Sequence, residues 1–172
     1  YRYQITQIFD SVSGLPVIGK RVIAGADGNA SWAELLNEAQ ILHHLRGVQG
    51  CVQLVRLNKP ERQLLVEDFG GVALNHSGLL GHVELTQFLL FAQRLSEAIA
   101  CIHARGVTHK DINPANVLVR PEGMQVQVID FGLATTFSDE RPEFEHQSKI
   151  CGTLAYISPE QTGRMNRSVD YR

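Results

Sequence analysis

Three residues, Asp111, Asn116 and Asp130, are the part of this sequence best suited to chemistry. Between Asn116 and Asp130 the chain reads as a hairpin: a strand over 117–119, the turn Arg120-Pro121-Glu122-Gly123, and a strand over 125–129. In an antiparallel hairpin the start of one strand lies beside the end of the other, which brings Asn116 and Asp130 to one open end. Both offer hard oxygen ligands, the kind magnesium takes while it keeps water and phosphate oxygens in its other positions. Asp111 precedes Asn116 by five residues and can reach over that end as a carboxylate free to accept a proton. Each residue alone reads as an ordinary loop side chain that caps a turn. The combination is what carries weight.

The elements that must position these groups can be read on either side of them. Residues 1–9 and 15–24 read as strands joined by the turn Asp10-Ser11-Val12-Ser13-Gly14. A helix is expected to start at Ser31, with Glu34 three residues on in a capping-box pattern, and to end near Gly47. Its apolar positions Leu35, Ala39, Leu42 and Leu45 share one face. Two further strands, about 52–57 and 62–68, flank Asn58-Lys59-Pro60-Glu61, and Gly70-Gly71 reads as a connector. From Glu84 to Ala104 the spacing of Leu85, Phe88, Leu89, Ala92, Leu95, Ile99 and Ile102 predicts a long amphipathic helix closed by Gly106. Beyond the hairpin the chain reads as polar loop to about residue 160.

Bulk properties exclude several classes of function. Sixteen basic and eighteen acidic residues leave a net charge of −2, which argues against a nucleic-acid-binding arm or a polybasic membrane patch. Cys51, Cys101 and Cys151 are far apart and odd in number, so a disulfide framework or zinc site is not expected, and a cytoplasmic setting is the simplest reading. No apolar run has the length of a membrane span, and no signal peptide is evident. The chain reads as opening inside one element and stopping at Asp170-Tyr171-Arg172 with no closing structure.

His109-Lys110-Asp111-Ile112-Asn113-Pro114-Ala115-Asn116 resembles the catalytic loop of protein kinases, and Asp130-Phe131-Gly132 resembles their D-F-G motif. Cys151-Gly152-Thr153-Leu154-Ala155-Tyr156-Ile157-Ser158-Pro159-Glu160 is similar to the end of their activation segment, with S-P-E in place of A-P-E. The resemblance covers essentially the whole chain. It implies an α+β, two-lobed fold: residues 1–69 as an N-lobe of small antiparallel sheet plus one helix, lacking its first strand and glycine-rich loop, and 70–172 as part of a mainly helical C-lobe.

What the resemblance implies for individual residues follows by position. Asp111 orients the substrate hydroxyl and accepts its proton, Asn116 and Asp130 hold Mg2+, and His109 is packing beneath the loop. Val17-Ile18-Gly19-Lys20 resembles the V-A-I-K strand, so Lys20 meets the α- and β-phosphates of ATP. Glu38 lies in the apolar stripe of its helix, where a carboxylate needs a cation, and Lys20 is the expected partner; Glu34 is the alternative. Backbone groups at Glu67, Asp68 and Phe69 bind adenine and Val66 is the gatekeeper, while the Glu67 and Asp68 side chains serve only solubility.

Two polar positions of the catalytic loop also depart from the family pattern. Lys110 replaces an arginine and cannot make a fork-like phosphate contact, which weakens activation through phosphorylation of Thr135, Thr136, Ser138 or Ser148. Asn113 stands where a lysine usually touches the γ-phosphate; its amide can still donate a hydrogen bond but brings no charge. The run from Gly152 to Arg167 resembles kinase domains that head large bacterial signalling proteins, with ATPase, GAF and histidine-kinase regions downstream. The expected function is transfer of the ATP γ-phosphate to serine or threonine hydroxyls of a protein substrate in signal transduction, with the fragment by itself inactive. The alternatives are a pseudokinase that binds a nucleotide or partner, and a small-molecule phosphotransferase of the aminoglycoside-kinase type.

Overall fold

The computed structural model describes residues 2–23, 25, 28–79, 81, 83–120, 122–136 and 152–162. The candidate phosphoacceptors Ser138 and Ser148, together with Cys151 and the tail 163–172, lie outside the described residues.

Strands β1 (Tyr3–Phe9) and β2 (Pro16–Val22) form an antiparallel hairpin in the register Ile5 to Lys20. Its turn is tied by Asp10, which accepts the Ser13 N–H at 2.9 Å and the Arg56 guanidinium at 2.8 Å. Helix α1 (Gly28–His44) follows, then β3 (Leu54–Asn58) and β4 (Gln63–Glu67), and the sheet order is β1-β2-β4-β3. The helix begins a turn earlier than its capping pattern predicts. Ser31 is a buried interior residue, and the Tyr3 hydroxyl lies 3.0 Å from its carbonyl and 2.9 Å from Glu34 Oε2, its one proton shared between the two acceptors.

Next come β5 (Val72–Ala73) and a 3-10 turn at Leu74–His76, then the long helix α2 (Leu85–His103). Gly106, at φ +71, ends the helical segment as its spacing predicts. Strands β6 (Val107–Thr108), β7 (Val117–Arg120), β8 (Gln125–Val128) and β9 (Thr135–Thr136) complete the described strands, with β7 and β8 as the expected hairpin. Pairing of β5 with β7 and of β6 with β9 has no counterpart in the hydrophobic pattern, because two-residue strands are too short to show a period.

One apolar core runs through both halves. Leu35, Leu42 and Leu45 of the α1 region pack with Leu64, Ile102, Val107, Val128 and Phe131, all essentially without solvent exposure. The contact is closest at Gly50, where φ is +72 and an added Cβ would lie 2.3 Å from Ala98 Cβ of α2. The Gly50 carbonyl also accepts the Val128 N–H at 2.8 Å, so the backbone cannot withdraw. Gly50→Ala is therefore expected to destabilise the domain by about 2–4 kcal/mol, from steric overlap and left-handed strain together. Urea unfolding of the intact polypeptide checks this as a lower midpoint for the transition of this domain.

Candidate active site

The β7–β8 register sets Val117 against Val128, and the Ile129 N–H donates to the Asn116 carbonyl at 3.0 Å. This places Asn116 and Asp130 at the same end of the hairpin. Asp130 has φ +63, a left-handed conformation that turns the chain out of the strand just before Phe131. Phe131 is fully buried and stacks edge-on against the His109 ring at 4.6 Å between centroids.

His109 supports the loop from below. It accepts the Asp111 N–H on Nδ1 at 3.2 Å, while Nε2 lies 2.9 Å from the Ile129 carbonyl. Burial lowers the imidazole's pKa, which suits a neutral ring with its proton on Nε2.

The Asp111 carboxylate is held by three donors. Thr153 gives its N–H and its hydroxyl to Oδ1, each at 2.9 Å, and Asn116 gives Nδ2 to Oδ2 at 2.9 Å. Asn116 Nδ2 also reaches the Asp111 carbonyl at 2.9 Å, which leaves the amide oxygen as the atom of Asn116 suited to a metal. Gly152, at φ +111, brings the activation-segment backbone close, since an added Cβ would lie 3.4 Å from the Lys110 carbonyl and 3.6 Å from Asp111 Oδ1.

Asn113 is engaged differently from its sequence-based expectation. It is 6% exposed, and its amide nitrogen donates to the Asp111 carbonyl and to Thr153 Oγ1, both at 3.1 Å. Its oxygen accepts the Ala115 N–H at 2.9 Å. With its two N–H groups matched by two acceptors inside the protein, the amide has no spare donor for a phosphate in this arrangement.

On the opposite wall, Lys20 Nζ lies 2.8 Å from Glu38 Oε2 and 2.8 Å from Asp130 Oδ1, with side-chain exposures of 12%, 4% and 45%. Glu34, the alternative partner, instead takes Arg2 and Tyr3. Burial opposes the Lys20 charge, but the Glu38 and Asp130 carboxylates outweigh it and hold the ammonium's pKa above its ordinary value. Glu38 Oε1 accepts the Phe131 N–H at 3.2 Å, so each of its oxygens meets a donor as an ionised carboxylate requires.

Two residues of this wall carry no sequence signal of their role. Asn37 donates to the carbonyls of Gly132 and Ala134 at 3.0 and 2.9 Å and so clamps α1 onto the segment after Asp130. The Tyr3 ring covers the Lys20 ammonium at 4.6 Å from its centroid, and burial with the nearby Glu34 raises the phenol's pKa.

The connector shows one correction. Asp68 is more than a solubilising side chain, because its carboxylate accepts the Gly70 N–H at 2.8 Å and the Gln7 side-chain amide. Val66 packs against the main core, and the Glu67 N–H is taken by the Gln53 carbonyl at 3.0 Å. Among the described residues no three Asp, Glu, His or Cys side chains converge as a metal cluster, and no helix is long and apolar enough to cross a membrane.

A small antiparallel sheet with one helix shares its core with a second half that carries α2, the polar loop and the hairpin, and Lys20, Glu38 and Asp130 meet where the two halves join. The model of the protein kinase domain matches residues 4–171, and the chain belongs to that family. It is 28% identical over 157 residues to the ovarian-specific serine/threonine-protein kinase Lok of Drosophila melanogaster, a match that covers 85% of this chain and 31% of that protein. It is also 33% identical over 88 residues to a Corynebacterium glutamicum protein named "Probable serine/threonine-protein kinase PknB", covering 51% of this chain and 13% of that protein. The chain thus spans less than a third of the length of either relative.

Proposed function

We propose that this domain transfers the γ-phosphate of ATP to serine or threonine hydroxyls of a protein substrate, as part of a signalling polypeptide with further domains. The observation that carries this reading is the pairing of Lys20 Nζ with both Glu38 and Asp130 at 2.8 Å, across from an Asp111 carboxylate fixed by Thr153 and Asn116. Residues 1–69 supply the nucleotide-facing lobe and 70–172 the loop, hairpin and substrate-facing segment. The reading includes a cytoplasmic setting, where ATP is available to the domain.

Each residue's part follows from its chemistry. Lys20 is a fixed ammonium for the α- and β-phosphates, and Glu38 holds it in place. Backbone groups at Glu67 to Phe69 meet adenine, with Val66 at the back of the pocket. Asp111 orients the attacking hydroxyl and accepts its proton as the oxygen bonds to phosphorus and the bond to ADP breaks. Asn113 acts by holding Thr153 and the Asp111 carbonyl, not by touching phosphate.

The residues present fit magnesium: Asn116 offers its amide oxygen and Asp130 its half-exposed carboxylate. Two protein ligands suffice for an ion that takes its other positions from phosphate and water, so a three-residue cluster is not required. When bound, the ion draws charge from the phosphate oxygens.

The test follows labelled γ-phosphate from ATP into a generic protein substrate, using the intact polypeptide with magnesium and with excess EDTA. Label is expected on serine or threonine with magnesium and at background with chelator. ATP binding without any transfer would sink the proposal.

A further inference from the structure

The connector between the lobes is gripped from both sides by side chains that phosphate chemistry does not use. From the first lobe, Gln7 Nε2 of β1 donates to Asp68, whose other oxygen takes the Gly70 N–H at 2.8 Å. From the second, Arg120 at the end of β7 donates to the Phe69 carbonyl and lies over the Phe69 ring, 4.5 Å from its centroid. Arg120 is itself steadied by Gln125 Oε1 at 3.3 Å.

The two glycines belong to this arrangement. Gly70 has φ +66, and a Cβ there would lie 3.3 Å from the Arg120 guanidinium. A Cβ on Gly71 would lie 2.7 Å from the Phe69 ring and 3.0 Å from the Val119 carbonyl. The close packing of ring, guanidinium and backbone therefore requires glycine at both positions.

Glycine also brings a disadvantage. A Gly-Gly pair has the greatest backbone freedom of any dipeptide, so a connector left alone would sample many orientations of its peptide groups. Recognition of a flat heterocycle by backbone N–H and C=O groups depends on those orientations being set beforehand.

We infer that Gln7 and Arg120 are positioning residues that hold the Asp68-Phe69-Gly70-Gly71 connector in its adenine-reading conformation, and so set affinity for the base and not for the phosphates. The inference rests on the kinase reading above. Neither side chain need touch the nucleotide. Their contribution is the ordering that binding would otherwise have to impose.

The experiment measures calorimetric binding of adenosine and of ATP to the intact polypeptide and its variants. Arg120→Met is expected to weaken both ligands by the same factor, about tenfold, because both use the base. Arg120→Lys should recover part of the loss, since a cation over the ring is retained. Lys20→Met, combined with Glu38→Leu so that no carboxylate is stranded, should weaken ATP more than adenosine, because the Lys20 ammonium meets phosphate and not the base. In phosphate transfer, Arg120→Met should raise KM for ATP with kcat little changed.

A folded Arg120→Met protein that keeps its adenosine affinity, or that loses ATP but not adenosine, overturns the inference. Should that variant fail to fold, Gln7→Ala applies the same criterion from the other lobe. A parent protein that binds neither ligand would instead overturn the kinase reading, and this inference with it.

Discussion

Replacing Asp111 by asparagine is expected to lower the rate of phosphate transfer by about 10²–10⁴-fold while ATP still binds, the range over which a positioned proton acceptor contributes. Asparagine keeps the shape and can still accept the Thr153 N–H and hydroxyl on its oxygen. What it loses is the negative charge and the ability to take a proton. It also sets an amide against Asn116 Nδ2, now 2.9 Å from a carboxylate oxygen, so that either the amide flips or two N–H groups oppose each other. Single-turnover transfer beside an ATP-binding titration separates the two effects. A variant that transfers at the parental rate would remove Asp111 from the mechanism, and one that no longer binds ATP would show that the loop had collapsed.

Lys20→Met has the second large effect, and it acts on stability as well as on rate. The substitution leaves Glu38, 4% exposed, with the Phe131 N–H still donating to it but without the lysine's charge. Removing one member of a buried pair destabilises by about 3–5 kcal/mol, because the remaining charge has lost its compensation. Asp130 loses its cation too, but its 45% exposure lets solvent screen much of that change. Transfer should fall together with stability.

A second variant divides the two consequences. Lys20→Met combined with Glu38→Leu removes the stranded charge and should regain most of the lost stability with no recovery of transfer. Thermal unfolding and labelled-phosphate transfer, run on the same preparations, give the comparison. Recovery of both would mean that Lys20 serves only the fold; recovery of neither would mean that the Glu38 site does not tolerate an apolar side chain.

The short-range parts of the fold were legible in the order of residues. The β7–β8 hairpin is adjacent in sequence and needs only a turn and two strands, so Asn116 and Asp130 could be brought together without knowing the rest of the chain. Helix α2 announces itself through apolar spacing over five turns, and Gly106 through its place at the end. Glu38 stood out because a carboxylate in an apolar stripe requires a cation, and the motif around Lys20 supplied one. The resemblance of the loop and Asp-Phe-Gly segments to protein kinases contributed the family, which periodicity alone does not contain.

The tertiary structure decided contacts between residues with no shared local pattern. Asn37 meets Gly132 and Ala134 across more than ninety positions, and Arg120 meets Phe69 across about fifty. A single side chain reaching a distant backbone group has no periodic signature. The start of α1 differs from its capping pattern for a related reason: Glu34 satisfies a local capping rule, but Arg2 and the Tyr3 hydroxyl, both long-range partners, engage its carboxylate. Asn113 looked able to reach phosphate until folding brought Thr153 beside it and engaged its amide. Sequence by itself thus determined the longer elements, the family and the residue types of the site. Only folding decided which donors and acceptors remain available, because a polar group is committed by whichever partner the packed chain brings within hydrogen-bond reach.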